Sequence, residues 1–230
     1  MNNQPKVAVL GGGSWATAIV KMLCENLETV GWYMRSIHAT EHIKLNKHNP
    51  NYLSSAELHP NQLILSNNIN KTVENFDILV FAIPSAFLTS ELKKLTISLS
   101  NKVIFSAIKG IVPESGLIVG EHFFKKHNIA YKNIGVITGP CHAEEVAMER
   151  LSYLTIACQD QDQAKKVGEC LKSRYIQVKI SDDIIGTEYA AMLKNIFSIA
   201  AGISHGLGYG DNFQSVLMSN SIREMDRFIK

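Results

Sequence analysis

The chain has 230 residues, of which 46% are hydrophobic and 19% are charged, a composition typical of a globular protein with a sizeable core. Its formal net charge is only +2, and no Lys/Arg cluster is present, so nucleic-acid binding is not expected. The four cysteines show neither a Cys-x-x-Cys pair nor metal-ligand spacing, which indicates reduced thiols in a cytoplasmic protein without a structural metal site.

An apolar strand near the start of the chain leads directly into a glycine-rich turn. Residues 7–10 are followed by Gly-Gly-Gly-Ser-Trp-Ala at 11–16, and residues 17–23 continue at helical spacing. In this context the Gly-x-Gly-x-x-Ala pattern predicts a dinucleotide site. Gly11 permits the tight turn, Gly13 lets the backbone approach a pyrophosphate, and the helix N-terminus offers N–H groups to the phosphate charge. The alternative is an ordinary βα turn in another kind of α/β protein.

Apolar runs of strand length recur along the chain and alternate with helical segments. Strands are predicted at 7–10, 29–35, 77–84, 103–108, 134–140, 153–157 and 176–180. Runs that are apolar on both sides belong in a parallel sheet covered by helices on both faces. Residues 1–183 are therefore predicted to form a Rossmann-like, mostly parallel α/β domain. The polar stretch 38–70 is expected to be an irregular excursion between strands. The apolar stretch near the N-terminus is too short and glycine-rich to span a membrane.

From residue 184 onward the sequence pattern becomes helical. One face is apolar and is formed by Ile185, Tyr189, Met192, Ile196, Ile199 and Ile203. No strand pattern follows before Lys230, so residues 184–230 are predicted to begin an all-helical domain. Because about 45 residues are too few for an independent core, we expect the chain to be cut off partway through this domain.

Charged residues follow two of the predicted strands, where ligands of such sheets bind. Arg35 stands where an acidic residue would hold the ribose 2′-hydroxyl of NAD. Since an arginine there can accommodate a 2′-phosphate, NADP is allowed and NAD is not excluded; a solvated arginine is the alternative. Lys109 stands at the end of the strand predicted at 103–108, and a lysine there can bind a phosphate or polarise a carbonyl. A strand-end surface charge is the alternative for Lys109.

A second strand-to-helix turn contains Gly139-Pro140-Cys141-His142-Ala143. Two glutamates follow in the first helical turn, where they suit the helix dipole without any further function. Cys141 is expected to line a pocket rather than act as a nucleophile, because no base partner can be assigned to it. His142 and His205 are weaker candidates for ligands or bases.

Lys194 is the only formally charged residue between Tyr189 and Gly210. Its own side of the predicted helix carries Ala190, Ala191, Phe197, Ser198 and Ala201. A helix that is apolar all round is expected to be buried, and a buried lysine must be paired or have a depressed pKa. Lys194 is therefore a candidate proton-transfer group, and Asn195 beside it could orient a substrate or bond to a neighbouring helix.

These motifs together closely resemble those of the bacterial NAD(P)-dependent glycerol-3-phosphate dehydrogenases. The matching segments are 11–18, 107–111, 139–144, 193–196 and the glycine-rich stretch 200–212. The resemblance implies reversible hydride transfer between sn-glycerol 3-phosphate and dihydroxyacetone phosphate, with NAD or NADP as cofactor. It also implies that the reaction supplies precursors for glycerophospholipid synthesis in the cytoplasm.

The resemblance also implies a role for each matching residue. The residues assigned to the cofactor are Gly11, Gly13, Ser14, Trp15, Arg35, Lys109 and Ala143. Those assigned to the substrate are Lys109, Gly139, Cys141 and Lys194. Lys194 would be the general acid that protonates the carbonyl oxygen as hydride arrives, and the base in the reverse direction.

The sequence departs from the family in two respects. Cys141 stands where the family usually has serine or threonine, so a substrate hydrogen bond there is expected to be weaker or to come from the backbone. The family's downstream Arg-Asn motif is absent, and we therefore expect this chain to bind nucleotide but to turn over poorly. Two alternatives stay open: another hydroxyacid or hydroxyacyl dehydrogenase, and a non-catalytic dinucleotide sensor. The sequence also leaves a homodimer open.

Overall fold

The computed structural model describes residues 4–230, which form one large sheet, one small hairpin and nine α-helices. The large sheet contains β1 (Val7–Leu10), β2 (Val30–Tyr33), β3 (Leu63–Ser66), β4 (Ile78–Phe81), β5 (Val103–Ser106), β8 (Ile134–Thr138), β9 (Ser152–Cys158) and β10 (Ile176–Ser181). The hairpin contains β6 (Ile111–Val112) and β7 (Leu117–Ile118). The helices are α1 (Ser14–Cys24), α2 (Ile37–Asn46), α3 (Ile69–Asn75), α4 (Ser85–Leu92), α5 (Val119–His127), α6 (Ala143–Ala147), α7 (Gln161–Leu171), α8 (Ile184–Gly206) and α9 (Asp211–Ile229).

The large sheet has the strand order β10-β9-β8-β5-β4-β1-β2-β3. Neighbouring strands are parallel except for β8 and β9, which are antiparallel. The order β3-β2-β1-β4-β5 is that of a Rossmann sheet. In such a sheet the strands are added outward from β1 to one edge, and the chain then returns to β1 and adds strands on its other side. The predicted Rossmann-like, mostly parallel sheet is therefore confirmed, with one antiparallel pair that the sequence did not reveal.

Both faces of the sheet are buried at its centre, as the apolar strands there require. Along β1, Val7 and Val9 belong to the core on one face, while Ala8 and Leu10 belong to the core on the other. Alternate residues of a strand point to opposite faces, so a strand covered on both faces must be apolar throughout. This explains why β1 and β4 are buried at every position.

The expectation of an irregular excursion over residues 38–70 is wrong. This stretch contains most of α2, a 3-10 turn at Pro60–Gln62, the edge strand β3 and the start of α3. Side-chain caps begin both helices: Ser36 accepts a hydrogen bond from the backbone of Ala39, and Asn68 accepts one from Lys71. The strand was missed because an edge strand exposes part of its length, and Ile64 of β3 is 50% exposed.

Helix α8 begins at Ile184, where the Asp183 carboxylate accepts a 2.7 Å hydrogen bond from the Gly186 N–H. In the described part of the chain α8 packs against α5, β8, β9 and α9. The helix is not buried all round, because these neighbours cover only part of its surface. Its apolar stripe is largely exposed, with Ile199 at 66%. None of the helices within residues 4–230 combines the length and apolarity that crossing a membrane requires.

Candidate functional site

The turn between β1 and α1 can be formed only with glycine at its first position. Gly11 has a φ of 137°, and a Cβ added there would lie 2.2 Å from the Ala82 carbonyl oxygen. The Gly11 N–H donates to the Tyr33 carbonyl at 3.0 Å, and the Gly11 carbonyl accepts from Trp32 Nε1 at 2.6 Å. These contacts fix the turn between β2 and the end of β4.

The N-terminus of α1 is open to a ligand. No side chain caps it, and its first turn carries no acidic residue. A Cβ added to Gly13 would meet nothing within 4 Å among the described residues. In the part of the chain that the structure describes, no side chain or acidic group therefore competes with a ligand for the first backbone N–H groups of the helix, which suits the binding of a phosphate.

The Asn49 side chain stabilises this turn through hydrogen bonds, a role that the sequence analysis did not identify. Its side chain is fully buried, and Nδ2 donates to the Gly12 carbonyl at 3.1 Å and to Thr17 Oγ1 at 2.9 Å. Its Oδ1 accepts from the Asn51 N–H at 3.0 Å. Asn49 lies within the polar stretch that gave no clear element, so only the folded structure reveals its partners.

A groove of about 480 Å³ extends from the glycine turn to the end of β2. It is lined by Gly11, Gly12, Gly13, Tyr33, Met34, Arg35, Ser36, Ala39, Asn49, Asn51, Tyr52, Ala82, Ile83, Pro84, Phe87 and Glu91. The Arg35 guanidinium lies 5.5 Å from the centre of the Phe87 ring. The groove fits a dinucleotide, because it joins a glycine cradle and an uncapped helix end to a cation at the end of β2.

Two further predicted residues begin α1 beside this groove. Ser14 and Trp15 are both half-buried. The Trp15 Nε1 atom is buried and has no hydrogen-bond partner among residues 4–230. Ala143, which is 8% exposed, begins α6, and α6 packs against α1. The predicted Ser14, Trp15 and Ala143 therefore belong to neighbouring helix starts on one side of the sheet.

The turn after β8 repeats the geometry of the first one. Gly139 has a φ of 143°, and a Cβ added there would lie 2.3 Å from the Tyr153 carbonyl oxygen. Cys141 follows and is 6% exposed. Burial raises the pKa of the Cys141 thiol, although contact with Ser152 and the charge of Lys109 act in the opposite direction. A thiol that stays protonated at neutral pH is a poor nucleophile, which favours the predicted pocket-lining role.

Lys109 is exposed and interacts electrostatically with both Cys141 and Lys194, which come from two other parts of the chain. The pKa of Lys109 is lowered by partial desolvation and by the positive charge of Lys194, while Cys141 acts in the opposite direction. Lys109 lies three residues beyond β5, and Lys194 lies within α8. The fold therefore brings the two lysines that the sequence singled out into one region at the carboxyl ends of the strands.

Lys194 is half-buried, so the expectation of a fully buried lysine is wrong. It lines a cavity of about 210 Å³ between α8 and α9, together with Phe197, Ser198 and Ala201 from its own helix. The cavity keeps one side of Lys194 accessible because α9 covers α8 incompletely. His142 and His205 are both exposed, and neither lines this cavity.

The fold and the glycine-rich turn define a dinucleotide-binding protein of the Rossmann class. The family model described as the NAD-dependent glycerol-3-phosphate dehydrogenase N-terminus matches residues 6–164, and the C-terminus model of the same family matches residues 183–230. The chain therefore belongs to the NAD-dependent glycerol-3-phosphate dehydrogenase family.

Individual relatives agree with this assignment. The chain is 38% identical over 223 residues to glycerol-3-phosphate dehydrogenase [NAD(P)+] of Exiguobacterium sp., covering 96% of this chain and 65% of the relative. It is 34% identical to the enzyme of the same name from Pseudomonas syringae pv. tomato, covering 99% of this chain and 66% of the relative. The structure of Plasmodium falciparum glycerol-3-phosphate dehydrogenase superposes with a TM-score of 0.86 at 26% identity, covering 96% of this chain and 65% of that one. The chain thus spans slightly less than two thirds of the length of these relatives.

Proposed function

We propose that the protein is an NAD(P)-dependent sn-glycerol-3-phosphate dehydrogenase that reduces dihydroxyacetone phosphate to sn-glycerol 3-phosphate in the cytoplasm, for glycerophospholipid synthesis. The observation that carries this proposal is the match of both glycerol-3-phosphate dehydrogenase family models, to residues 6–164 and 183–230, on a fold whose glycine turn opens into a dinucleotide-sized groove. The names of the relatives support the same reaction.

The paired lysines favour a phosphorylated substrate. Two ammonium groups that interact repel each other, and this repulsion is relieved when an anion lies between or beside them. A phosphate monoester carries more negative charge than a carboxylate and accepts several charge-assisted hydrogen bonds. A hydroxyacid or an acyl thioester would compensate the two charges less completely.

The chain's own residues would bind the substrate and move its proton. A bound nicotinamide would supply a hydride to the carbonyl carbon, or accept one from the alcohol carbon in the reverse direction. Lys194 Nζ would donate a proton to the carbonyl oxygen, so that an alcohol forms, and would take that proton back in the reverse direction. Lys109 would hold the substrate's negative charge. The backbone around Gly139 and the protonated thiol of Cys141 would line the site.

The two parts of the chain would have different tasks. Residues 1–183 would bind the dinucleotide through Gly11, Gly13, Ser14, Trp15 and Arg35, with Lys109 and Ala143 at its nicotinamide end. Residues 184–230 would contribute Lys194. This division is supported by the start of α8 at Ile184 and by the separate family matches to 6–164 and 183–230.

The proposal is tested by NADPH and NADH oxidation with dihydroxyacetone phosphate as substrate. Lys194→Ala should lower kcat by a factor on the order of 100 or more, as expected for loss of a proton donor, and leave nucleotide affinity unchanged. Lys179→Ala, at an exposed position on β10, is the matched control and should retain full activity. Unchanged turnover in Lys194→Ala would reject the proton-transfer role. NAD(P)H oxidation with a 2-oxoacid or a 3-oxoacyl thioester, but not with dihydroxyacetone phosphate, would reject the proposed substrate.

A further inference from the structure

A buried carboxylate binds two cations at the far end of the dinucleotide groove. Glu91, on α4, is only 1% exposed. Its Oε2 accepts a 2.8 Å hydrogen bond from the Tyr33 hydroxyl, and its Oε1 accepts one of 2.8 Å from Lys94 Nζ. Arg35 Nε lies 3.7 Å from the same Oε1. Glu91 therefore holds the Lys94 and Arg35 side chains beside each other.

The two cations also face a separate, polar pocket. This pocket has a volume of about 260 Å³ and is lined by Tyr33, Arg35, Asn67, Asn68, Ile69, Asn70 and Lys94. It shares Tyr33 and Arg35 with the dinucleotide groove. The side chains of Arg35 and Lys94 are 61% and 50% exposed. Both cations are consequently accessible to a ligand that reaches past the end of β2.

The net charge at this corner of the groove, formed by Tyr33, Arg35, Glu91 and Lys94, is positive. Arg35 and Lys94 together carry two positive charges, and Glu91 supplies one negative charge. Tyr33 adds none, because burial and its hydrogen bond to Glu91 raise its pKa. Both carboxylate oxygens of Glu91 already have partners, so this carboxylate is poorly placed to accept a hydrogen bond from a ribose hydroxyl.

The position of this corner determines which part of a dinucleotide would reach it. In a Rossmann sheet the residue at the end of β2 contacts the 2′ position of the adenosine ribose. An acceptor is needed there for a 2′-hydroxyl, whereas a 2′-phosphate requires cations. Here β2 ends at Tyr33, and Arg35 follows two residues later.

The Rossmann class already places Arg35 near the 2′-phosphate of NADP(H). We propose that Lys94, held beside Arg35 by Glu91, supplies the second cation for this phosphate, and that the protein therefore prefers NADP(H) to NAD(H). Lys94 is a specificity-determining residue under this proposal, and Glu91 is a positioning residue that acts through the two cations. The inference rests on the proposed function, because it requires a dinucleotide in the groove.

The test compares two fragments that differ only in the 2′-phosphate. Adenosine 2′,5′-bisphosphate and 5′-AMP are titrated by calorimetry into the unmodified chain, Lys94→Gln and Lys93→Gln. Lys93 is the exposed neighbour of Lys94, so both variants remove one charge from the same turn. A lost hydrogen bond to a charged group corresponds to roughly a tenfold change in affinity.

The unmodified chain should bind the bisphosphate at least about tenfold more tightly than 5′-AMP. Lys94→Gln should lose most of this preference without weakening 5′-AMP, and Lys93→Gln should keep it. Glu91→Gln preserves the side-chain shape and an acceptor for Tyr33, and it should reduce the preference for the bisphosphate in the same way. If Glu91→Gln does not fold, the result with Lys94→Gln alone tests the proposal.

Equal affinity for the two fragments in the unmodified chain would overturn the 2′-phosphate site. An equal loss of affinity for both fragments in Lys94→Gln would also overturn the 2′-phosphate site. In either case measurable binding of 5′-AMP leaves the proposed dinucleotide function standing. Absence of binding by 5′-AMP, the bisphosphate, NADH and NADPH would overturn both proposals together.

Discussion

The Glu188 carboxylate on α8 accepts a 2.9 Å hydrogen bond from the backbone N–H of Gly120 in the first turn of α5. Glu188 is 5% exposed, and a Cβ added to Gly120 would lie 2.8 Å from its Oε2 atom. This contact joins the helix that carries Lys194 to a helix that covers the sheet. It places a hydrogen-bond acceptor in the first turn of α5, where the backbone N–H groups have no partner within the helix.

The Glu188 contact predicts that stability falls as pH rises through the weakly acidic range. Burial raises the pKa of Glu188 to about 7, and the Gly120 hydrogen bond opposes this only partly. Between the ordinary pKa of a glutamate and about 7 the unfolded chain releases this proton while the folded chain retains it, so the free energy of unfolding decreases. Below that window both states are protonated and the contribution is fully present.

Glu188→Gln should remove this component, because glutamine keeps the acceptor for Gly120 but does not titrate. The expected difference in the pH dependence is up to about 3 kcal/mol between pH 4.5 and 7.5. Urea unfolding at closely spaced pH values measures it, with the exposed Glu57→Gln as the control. The same pH profile in Glu188→Gln and the unmodified chain would contradict the prediction.

Lys109 is predicted to contribute to binding of the phosphorylated substrate. Lys109→Met should weaken binding of dihydroxyacetone phosphate by about tenfold or more, because a charge-assisted hydrogen bond is lost. Calorimetry in the presence of NADP+, which cannot reduce the ketone, isolates binding from turnover. The exposed Lys132→Met is the control, and an unaltered Kd in Lys109→Met would remove Lys109 from the site.

The residues that sequence analysis identified are those defined by short, local patterns. Gly11 and Gly139 each end a buried strand and have positive φ values that favour glycine, so their turns could be found from strand–turn–helix spacing alone. The start of α8 was equally local, because the sequence periodicity changes there. The direction of β9 was not predictable, since a buried strand has the same apolar pattern whether it runs parallel or antiparallel.

The residues that were missed depend on partners far away in the chain. Asn49 contacts Thr17 across 32 positions, and Glu91 contacts Tyr33 across 58. An asparagine in a polar stretch and a glutamate on a short helix look like ordinary surface residues until those partners are known. The burial of Lys194 was overestimated for a related reason: the apolar composition of α8 does not reveal how many neighbours cover the helix.

Asn49 is predicted to support both stability and dinucleotide binding. Asn49→Ala would leave the Gly12 carbonyl and Thr17 hydroxyl without this buried donor, at a cost of about 1–3 kcal/mol in the free energy of unfolding. The Gly12 carbonyl lies in the turn that would face the pyrophosphate, so NADPH affinity should fall as well. Urea unfolding and NADPH titration measure the two effects. The exposed Asn61→Ala should change neither, and wild-type NADPH affinity in a destabilised Asn49→Ala would limit its role to stability.

Cys141→Ser is predicted to strengthen substrate binding. The Cys141 side chain is buried beside Lys109, and its raised pKa keeps the thiol protonated, so it offers only a weak S–H donor. A hydroxyl in the same place forms a stronger neutral hydrogen bond, which corresponds to a several-fold lower Kd for dihydroxyacetone phosphate. Calorimetry with NADP+ present measures this change. Cys158→Ser is the control, because Cys158 is also buried but its thiol contacts the Lys132 carbonyl instead. An unchanged or weaker Kd in Cys141→Ser, with Cys158→Ser also unchanged, would show that the Cys141 side chain does not donate to the substrate.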